Sequence, residues 1–375
     1  MDYQQSIQYI KECTKFGIKL GLERITEILK RLGDPQLQFQ SIHVAGTNGK
    51  GSTVAMFDTV LREASYKTGR YTSPHLSSYQ ERFTVNGVAI STTQLAETVT
   101  KIKPILEAVY DDGFGSPTEF EVGTALAFEF FAQSGVEVAV IEVGMGGRFD
   151  ATNVIQPVVS VITHLALEHQ RYLGDTLLQI AFEKAGIIKP GVPVVIGIQA
   201  AEIEDYLQEV AVSRGSAVKK AAGLNLIRSQ LGTEETWLEV EDSFWGNIQT
   251  KLRLLGGHQI RNSLNVIAGM EFLTRAGFKI SKMDLVNGLA KTTWPGRFEL
   301  IPQAAPLKLY LDGAHNPDGV STLVATFQEL YPHQKTDLLV GILNDRPLRE
   351  MACLFSPITR RVIVTEVPDP KTANA

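Results

Sequence analysis

Residues 43–53 read His-Val-Ala-Gly-Thr-Asn-Gly-Lys-Gly-Ser-Thr, and this stretch decides the fold of the 375-residue chain. An apolar run leads into glycines that flank a single lysine, and a helix-like segment, 54–64, follows. Backbone N–H groups can wrap a polyphosphate only where side chains leave room, and a helix N-terminus adds partial positive charge. The stretch therefore predicts a strand–loop–helix phosphate-binding loop, in which Lys50 contacts phosphate oxygens and a nearby hydroxyl binds Mg²⁺.

Two features set this loop apart from the most common phosphate-binding pattern. Val44 stands where that pattern has its first glycine, and Gly51 follows the lysine where a hydroxyl is usual, so the candidate hydroxyl moves to Ser52. A tight glycine-rich turn with a chance lysine would explain the same residues. The agreement of strand, loop and helix favours phosphate binding.

Composition limits the class of protein. The chain is 44% hydrophobic and 21% charged, which is typical of globular proteins and enough for two domains. A net charge of -5 argues against bulk attraction to nucleic acid or to an anionic membrane. Two cysteines, Cys13 and Cys353, far apart in sequence, fit a reduced cytoplasmic protein. No signal-like N-terminus and no apolar run of membrane-spanning length is seen, so a cytoplasmic protein is expected.

The hydrophobic pattern predicts an α/β fold. Apolar segments at 136–143, 157–167 and 192–198 alternate with helical segments, which is typical of a P-loop ATPase-like, doubly wound, mostly parallel sheet. Ser116 and Asp175 are expected to cap two of the helices. The alternation then weakens, and short antiparallel strands are expected between residues 215 and 255.

A linker is predicted at residues 292–297, where Pro-Gly interrupts any regular element. It divides the chain into an ATP-binding domain, 1–291, and a smaller C-terminal α/β domain of Rossmann-like type, 298–375. The expected elements of the second domain alternate in type. They are a strand at 307–311, a helix at 317–330, a strand at 337–342, a helix at 347–355 and a strand at 361–366.

Charged residues at strand ends are the first candidates for chemistry. Glu142 closes an apolar strand, where a carboxylate must be paired or metal-bound, so it is a Mg²⁺-ligand candidate or the partner of Arg148. His164 and His169 flank the end of the next strand. A metal role for them competes with a structural one, because Mg²⁺ prefers oxygen ligands.

Three further places allow a functional and a structural explanation. Lys184 ends an apolar helix and is either a site residue or a lysine that extends its amine to the surface. Asp312 and His315 follow a strand of the second domain, as a site loop or as a capping turn. Asn262, near the start of a helix, either contacts a nucleotide base or serves the helix terminus.

Together these stretches resemble the folylpolyglutamate synthase/dihydrofolate synthase family of the Mur ligase superfamily. The resemblance extends from the first helices to about residue 370. The matching stretches are 43–53, 72–76, 118–121, 141–148, 167–169, 184–187, 257–262, 294–297 and 312–317.

The resemblance implies a role for each matching residue. The implied ATP-binding residues are Asn48, Gly49, Lys50, Gly51, Ser52, Thr53, Asn262, Arg297 and Asp312. The implied Mg²⁺ ligands are Ser52, Ser73, Glu142, His169 and Lys184, the last as a carbamate. The implied folate-side residues are Ser73, Pro74, His75 and Phe120. The implied catalytic residues are Lys50, Lys184, Asp312 and His315.

The resemblance also implies the reaction. A folate or dihydropteroate carboxylate attacks ATP, and L-glutamate then displaces phosphate from the acyl phosphate. ATP and Mg²⁺ are the implied cofactors, the partners are small molecules with no nucleic acid and no membrane, and a monomer is expected. The amino-acid sequence leaves open whether dihydropteroate is accepted and how long a glutamate chain is made.

Three departures from the family pattern stand out. Glu168 replaces an aspartate, and Arg346 stands where a lysine is usual. The chain also stops soon after Pro370–Ala373, so the C-terminal domain is expected to be incomplete. Two alternatives therefore stay open at this stage: a Mur-type amino-acid ligase of cell-wall synthesis, and a truncated nucleotide-binding protein without catalysis.

Overall fold

The structure is a computed structural model that describes residues 1–13, 21–302, 306–367 and 372. The end of the chain that the sequence singled out, Pro370–Ala373, therefore lies outside the described residues except for Thr372. The described α-helices are α1 (Tyr3–Cys13), α2 (Glu23–Arg31), α3 (Lys50–Glu63), α4 (Thr92–Val109), α5 (Glu119–Gln133), α6 (Gln170–Leu173), α7 (Leu177–Lys184), α8 (Ala201–Ser213), α9 (Gly257–Arg275), α10 (Lys282–Lys291), α11 (Pro317–Leu330) and α12 (Leu348–Phe355). None of the helices in these ranges has the length and apolar character needed to cross a membrane.

The described strands form one large sheet and three small ones. They are β1 (Gln40–Ala45), β2 (Thr68–Tyr71), β3 (Phe83–Val85), β4 (Val88–Ala89), β5 (Val138–Glu142), β6 (Val159–Ile162), β7 (Val194–Ile196), β8 (Val218–Lys220), β9 (Asn225–Leu231), β10 (Thr236–Asp242), β11 (Gly246–Leu252), β12 (Glu299–Leu300), β13 (Tyr310–Leu311), β14 (Thr336–Val340) and β15 (Thr359–Val364).

The large sheet confirms the predicted α/β fold. Its strand order is β4-β3-β2-β5-β1-β6-β7-β8, and every neighbouring pair from β2 to β8 is parallel. The hairpin β3–β4, which turns at Asn86-Gly87, adds the antiparallel edge. Helices cover both faces, so the central strands are buried on both sides, as the apolar segments predicted.

The position of β1 places the functional residues. It lies between β5 and β6, and all three strands run in the same direction. Because the carboxyl ends of parallel strands meet at one sheet edge, the segments that follow Ala45, Glu142 and Ile162 come together there. A ligand site is therefore expected at this edge.

The smaller sheets partly match the sequence expectation. Strands β9 to β11 form the predicted antiparallel group. In the C-terminal unit, however, the described strands form two separate pairs, β12–β13 antiparallel and β14–β15 parallel, where one alternating unit was expected. The strand predicted at 307–311 is shorter than expected and covers only Tyr310–Leu311. Helices α11 and α12 pack together around Val320 and Met351 as a small core of their own.

Two predicted helix caps were wrong by one or two residues. Helix α5 is capped by Thr118, not Ser116, and α7 is capped by Thr176, not Asp175. In both cases the threonine hydroxyl accepts a hydrogen bond from the backbone of the third helical residue, and that residue's side chain returns to the cap. This reciprocal pair satisfies two otherwise free N–H groups, which a single nearby Ser or Asp does not.

A buried ion pair joins two helices of the N-terminal unit. Arg24 on α2 donates to Glu121 on α5 through Nε, at 3.0 and 2.9 Å from the two carboxylate oxygens, and through Nη2, at 2.6 Å. Both side chains are only 5% exposed. The same carboxylate completes the cap at Thr118. The start of α5 is therefore stabilised by the Glu121 carboxylate, whose buried charge is paired with Arg24.

We predict that Arg24→Met destabilises the protein by about 3–5 kcal/mol, because it leaves the Glu121 carboxylate buried without its cation. Urea denaturation measures the change. The matched control is Arg31→Met, which removes a cation paired with Glu27 and the exposed Asp112. That control should cost much less stability, because solvent screens an exposed ion pair. Equal losses for both variants would contradict the role assigned to the buried pair.

Candidate functional site

A cavity of about 500 Å³ lies at the carboxyl edge of the large sheet, between that sheet and the C-terminal unit. Most residues predicted for the site line it: Asn48, Gly49, Lys50, Gly51, Ser52, Ser73, Pro74, Glu142, His169, Asn262, Arg297, Asp312 and His315. They come from distant parts of the chain. The fold thus brings together residues that only the resemblance had joined.

The phosphate loop requires glycine at its two turning points. Gly46 has φ +154°, and a Cβ there would lie 1.8 Å from Thr163 Oγ1. Gly49 has φ +89°, and a Cβ there would lie 2.3 Å from Asn262 Oδ1. The backbone N–H of Thr47 donates to the His164 carbonyl at 2.9 Å, which fixes the loop against the neighbouring strand end. Helix α3 then begins at Lys50, four residues earlier than predicted, so its N-terminus faces the cavity.

Two lysines share one carbonyl at this loop. Lys50 Nζ donates to the carbonyl oxygens of Gly46 and Thr47 at 3.1 and 3.0 Å, and Lys184 Nζ donates to that of Gly46 at 2.8 Å. The Lys184 side chain is buried behind the loop and does not extend to the surface. Burial, and next the charge of Lys50, lower the pKa of Lys184 to about 7. Much of this amine is therefore neutral near neutral pH.

Glu142 ends β5 as a buried carboxylate. It accepts a hydrogen bond from the Ser73 backbone N–H at 3.3 Å. Burial raises its pKa to about 7, although the charge of Lys50 opposes the shift. The alternative pairing with Arg148 was wrong, because that guanidinium lies over the rings of Phe149 and Phe182, at 5.3 and 4.9 Å from their centroids. The Glu142 carboxylate is therefore free to face a cation in the cavity.

The other proposed metal ligands surround the same space. Ser52 Oγ accepts from Gln259 Nε2 at 3.3 Å, and His169 begins the short helix α6 with φ +53°. Burial lowers the pKa of His169, which favours a neutral imidazole. Within the described ranges, no three His, Cys, Asp or Glu side chains form a group that could hold a metal. The oxygens of Ser52, Ser73 and Glu142 nevertheless suit Mg²⁺, which takes few protein ligands and keeps several waters.

Residues predicted to contact the nucleotide lie on the other sides of the cavity. Asn262 Nδ2 donates to Gln259 Oε1 at 3.0 Å, and the pair lies beside the phosphate loop. Asp312 accepts from the backbone N–H groups of Phe298 and Ala314, both at 2.8 Å, so it shapes a turn and lines the cavity at once. Burial raises the pKa of Asp312.

Four predicted residues lie outside the cavity lining. Lys184 is behind the loop, and Thr53 is buried inside α3. His75 Nδ1 accepts from Arg82 Nε at 3.0 Å. Phe120 packs under Gly144, where a Cβ would lie 2.5 Å from its ring. The roles assigned to these four residues stay predictions.

Sequence reasoning missed the contacts that join the two units. Asn48 Nδ2 donates to Asp318 Oδ2 at 2.7 Å, and His164 Nε2 lies 3.2 Å from Asp318 Oδ1. Asn316 exchanges hydrogen bonds with Asn48 at 3.2 and 3.1 Å. Asp318 lies outside the matching stretches, and Asn-Pro-Asp at 316–318 is a common pattern at any helix N-terminus.

Sequence reasoning also missed the contacts of Glu168 with the C-terminal unit. Its carboxylate is 7% exposed and accepts from His315 Nε2 at 2.9 Å and from Arg346 Nη1 at 3.3 Å. Burial opposes ionisation, but the hydrogen bond from His315 and the charge of Lys50 hold the pKa of Glu168 well below its usual range. The Glu168 carboxylate is therefore ionised at any physiological pH.

Comparison with known protein families matches two profiles. Residues 44–270 match the Mur ligase middle domain, and residues 296–375 match the Mur ligase glutamate ligase domain. The dihydrofolate synthase/folylpolyglutamate synthase of Bacillus subtilis is 36% identical over 378 residues, which cover 100% of this chain and 87% of that protein.

Solved structures show the same fold. The Mycobacterium tuberculosis folylpolyglutamate synthase complexed with ADP has a TM-score of 0.91 at 33% identity, over 100% of this chain and 84% of that one. An FPGS complex with AMPPCP and folate has a TM-score of 0.90 at 34% identity, over 98% of this chain and 90% of that one. The expected incompleteness of the C-terminal domain stays a prediction.

We predict that Gly49→Ala lowers affinity for ADP about tenfold, because a side chain at positive φ costs about 1–3 kcal/mol and also meets Asn262. Isothermal titration calorimetry measures the affinity. Gly223→Ala is the matched control, since nothing lies within 4 Å of a Cβ at that position. Wild-type affinity in Gly49→Ala would show that the loop conformation is not needed for binding.

Proposed function

Because the chain belongs to the dihydrofolate synthase/folylpolyglutamate synthase family of the Mur ligase superfamily, we propose that it uses ATP to join L-glutamate to the carboxylate of folates. One observation carries the proposal: a single cavity is lined by the phosphate loop, by Glu142 and by the Asp312–His315 turn of the second unit. Such a cavity can hold a nucleotide and a carboxylate substrate side by side.

The reaction has two steps, which the cavity residues serve by position and charge. The substrate carboxylate attacks the γ-phosphorus of ATP, the bond to ADP breaks, and an acyl phosphate forms. The glutamate amine then attacks the acyl carbon, phosphate leaves, and the amine loses a proton. Lys50 and the N-terminus of α3 offset the phosphate charge. The enclosing C-terminal unit keeps water from the acyl phosphate.

Mg²⁺ fits the oxygen-rich side of this cavity. Glu142, Ser73 and Ser52 would hold it, with His169 as a further neighbour. When bound, it would neutralise charge on the transferred phosphoryl group. The buried Glu142 carboxylate, which has a backbone N–H as its hydrogen-bond donor, supports this assignment.

Carbamylation of Lys184 is part of the proposal. The neutral amine attacks CO₂, a C–N bond forms, and a proton is released, which leaves an anionic carbamate. The buried position and the pKa of about 7 support this chemistry, because only an uncharged amine is nucleophilic. The carbamate would place a negative charge beside Lys50, where the structure shows only a shared carbonyl.

The finer assignments rest on position alone. Ser73 and Pro74 line the cavity and would contact the folate side, with His75 and Phe120 supporting them from behind. Use of dihydropteroate, a monomeric state and a cytoplasmic location also belong to the proposal.

We predict folate-dependent ADP release when purified protein receives ATP, Mg²⁺, L-glutamate and tetrahydrofolate. A coupled assay follows ADP, and mass spectrometry identifies a product heavier by one glutamyl residue. Parallel reactions use dihydropteroate or a UDP-linked muropeptide in place of folate. Turnover with the muropeptide alone would overturn the folate proposal in favour of a cell-wall ligase.

We predict that Lys184→Ala and Lys184→Arg both lose at least about 100-fold in kcat, since neither side chain forms a carbamate. Wild-type protein given ¹³C-bicarbonate should show a carbamate carbon signal by NMR that both variants lack. The exposed Lys282→Arg is a matched control and should keep full activity. An active Lys184→Arg enzyme would exclude the carbamate.

A further inference from the structure

Three donors of the C-terminal unit converge on one oxygen of Glu168. His315 Nε2, Asn316 Nδ2 and Arg346 Nη1 lie 2.9, 3.3 and 3.3 Å from its Oε1. Glu168 belongs to the segment after β6 in the N-terminal unit, so every one of these contacts crosses between the units.

The orientation of His315 depends on Glu168. The imidazole is 48% exposed, and its two nitrogens face the Gly313 carbonyl at 2.8 Å and the Glu168 carboxylate at 2.9 Å. Each ring nitrogen therefore has an oxygen within hydrogen-bond distance, and these two contacts fix the plane of the ring.

Arg346 depends on the same carboxylate. Its guanidinium lines the cavity and contacts Glu168 and the exposed side chain of its own neighbour, Asp345, at 3.3 Å. A contact with an exposed adjacent residue restrains a side chain only weakly. Glu168 is the buried anchor that brings the guanidinium to the cavity.

Docking of the two units does not rest on Glu168 alone. Asp318 accepts from Asn48 at 2.7 Å and contacts His164, and Asn316 bonds to Asn48. These contacts hold α11 against the phosphate loop independently. Glu168 therefore matters for the placement of His315 and Arg346 rather than for the attachment of the unit.

We propose that Glu168 is a positioning residue that holds His315 and Arg346 of the C-terminal unit at the cavity lined by the phosphate loop, so that docking brings an imidazole and a guanidinium to the phosphoryl group. This inference rests on the proposed ligase function. Polar groups fixed in advance need no reorganisation when charge moves during transfer, and a misplacement of about 1 Å can cost roughly 100-fold in rate.

The kinetic test compares Glu168→Gln, Arg346→Met and the double variant. We expect each single variant to lose roughly 10- to 100-fold in kcat, with KM for ATP changed less than about threefold. The double variant should be no slower than the slower single variant, because both changes break the same contact. Glu235→Gln, which removes an exposed carboxylate paired with Lys251, should match wild type.

A second measurement needs no turnover. In ¹⁵N-histidine spectra at fixed pH, the ring signal of His315 is assigned with His315→Gln. Glu168→Gln should shift that signal, because the His315 Nε2 loses its carboxylate partner. Because Arg346 lies at the cavity rim, Arg346→Met tests the kinetic link even if Glu168→Gln does not fold.

Three results would overturn the inference: wild-type kcat in Glu168→Gln or in Arg346→Met, single losses that multiply in the double variant, or an unchanged His315 signal in Glu168→Gln. Absence of folate-dependent turnover in the wild type would instead refute the proposed function. The histidine spectra still decide the placement of His315 in that case.

Discussion

The backbone at Gly46 must pass Thr163 with no side chain between them, and the remainder of the site depends on this close approach. It lets β1 turn directly into a loop held by the next strand, and it leaves the Gly46 carbonyl facing two lysine amines. Any bulk there would push the loop away from β6. The distances between Lys50, Lys184 and the start of α3 would then all change.

Opposite charges are balanced in a confined space around this loop. Lys50 lowers the pKa of Lys184 and opposes the upward shift of Glu142, so one cation influences groups on both sides of it. Burial supplies the larger effect in each case. Burial therefore moves the pKa of Glu142 and the pKa of Lys184 toward neutral pH from opposite sides.

Local pattern was enough to predict the main fold, because period and burial are encoded along a strand or helix. The apolar segments that became β5, β6 and β7 were found from their own residues, as was the helix α11. The predicted caps Ser116 and Asp175 were wrong, because another polar residue that can cap a helix lies one or two positions further along the chain. Contacts such as Asn48 with Asp318 could not be predicted, because nothing in either local sequence records the partner.

The strand order has an evolutionary consequence. β1 lies inside the sheet, with β5 and three further strands on one side and β6 and two further strands on the other. A displacement of β1 is therefore transmitted to both halves of the sheet. Among the described strands, the hairpin β3–β4 pairs with β2 alone, and it ends at an exposed turn. Tolerance of substitution should thus rise outward from β1 toward either margin. Sequence drift among descendants of this chain would then collect at the margins, leaving a slowly changing centre.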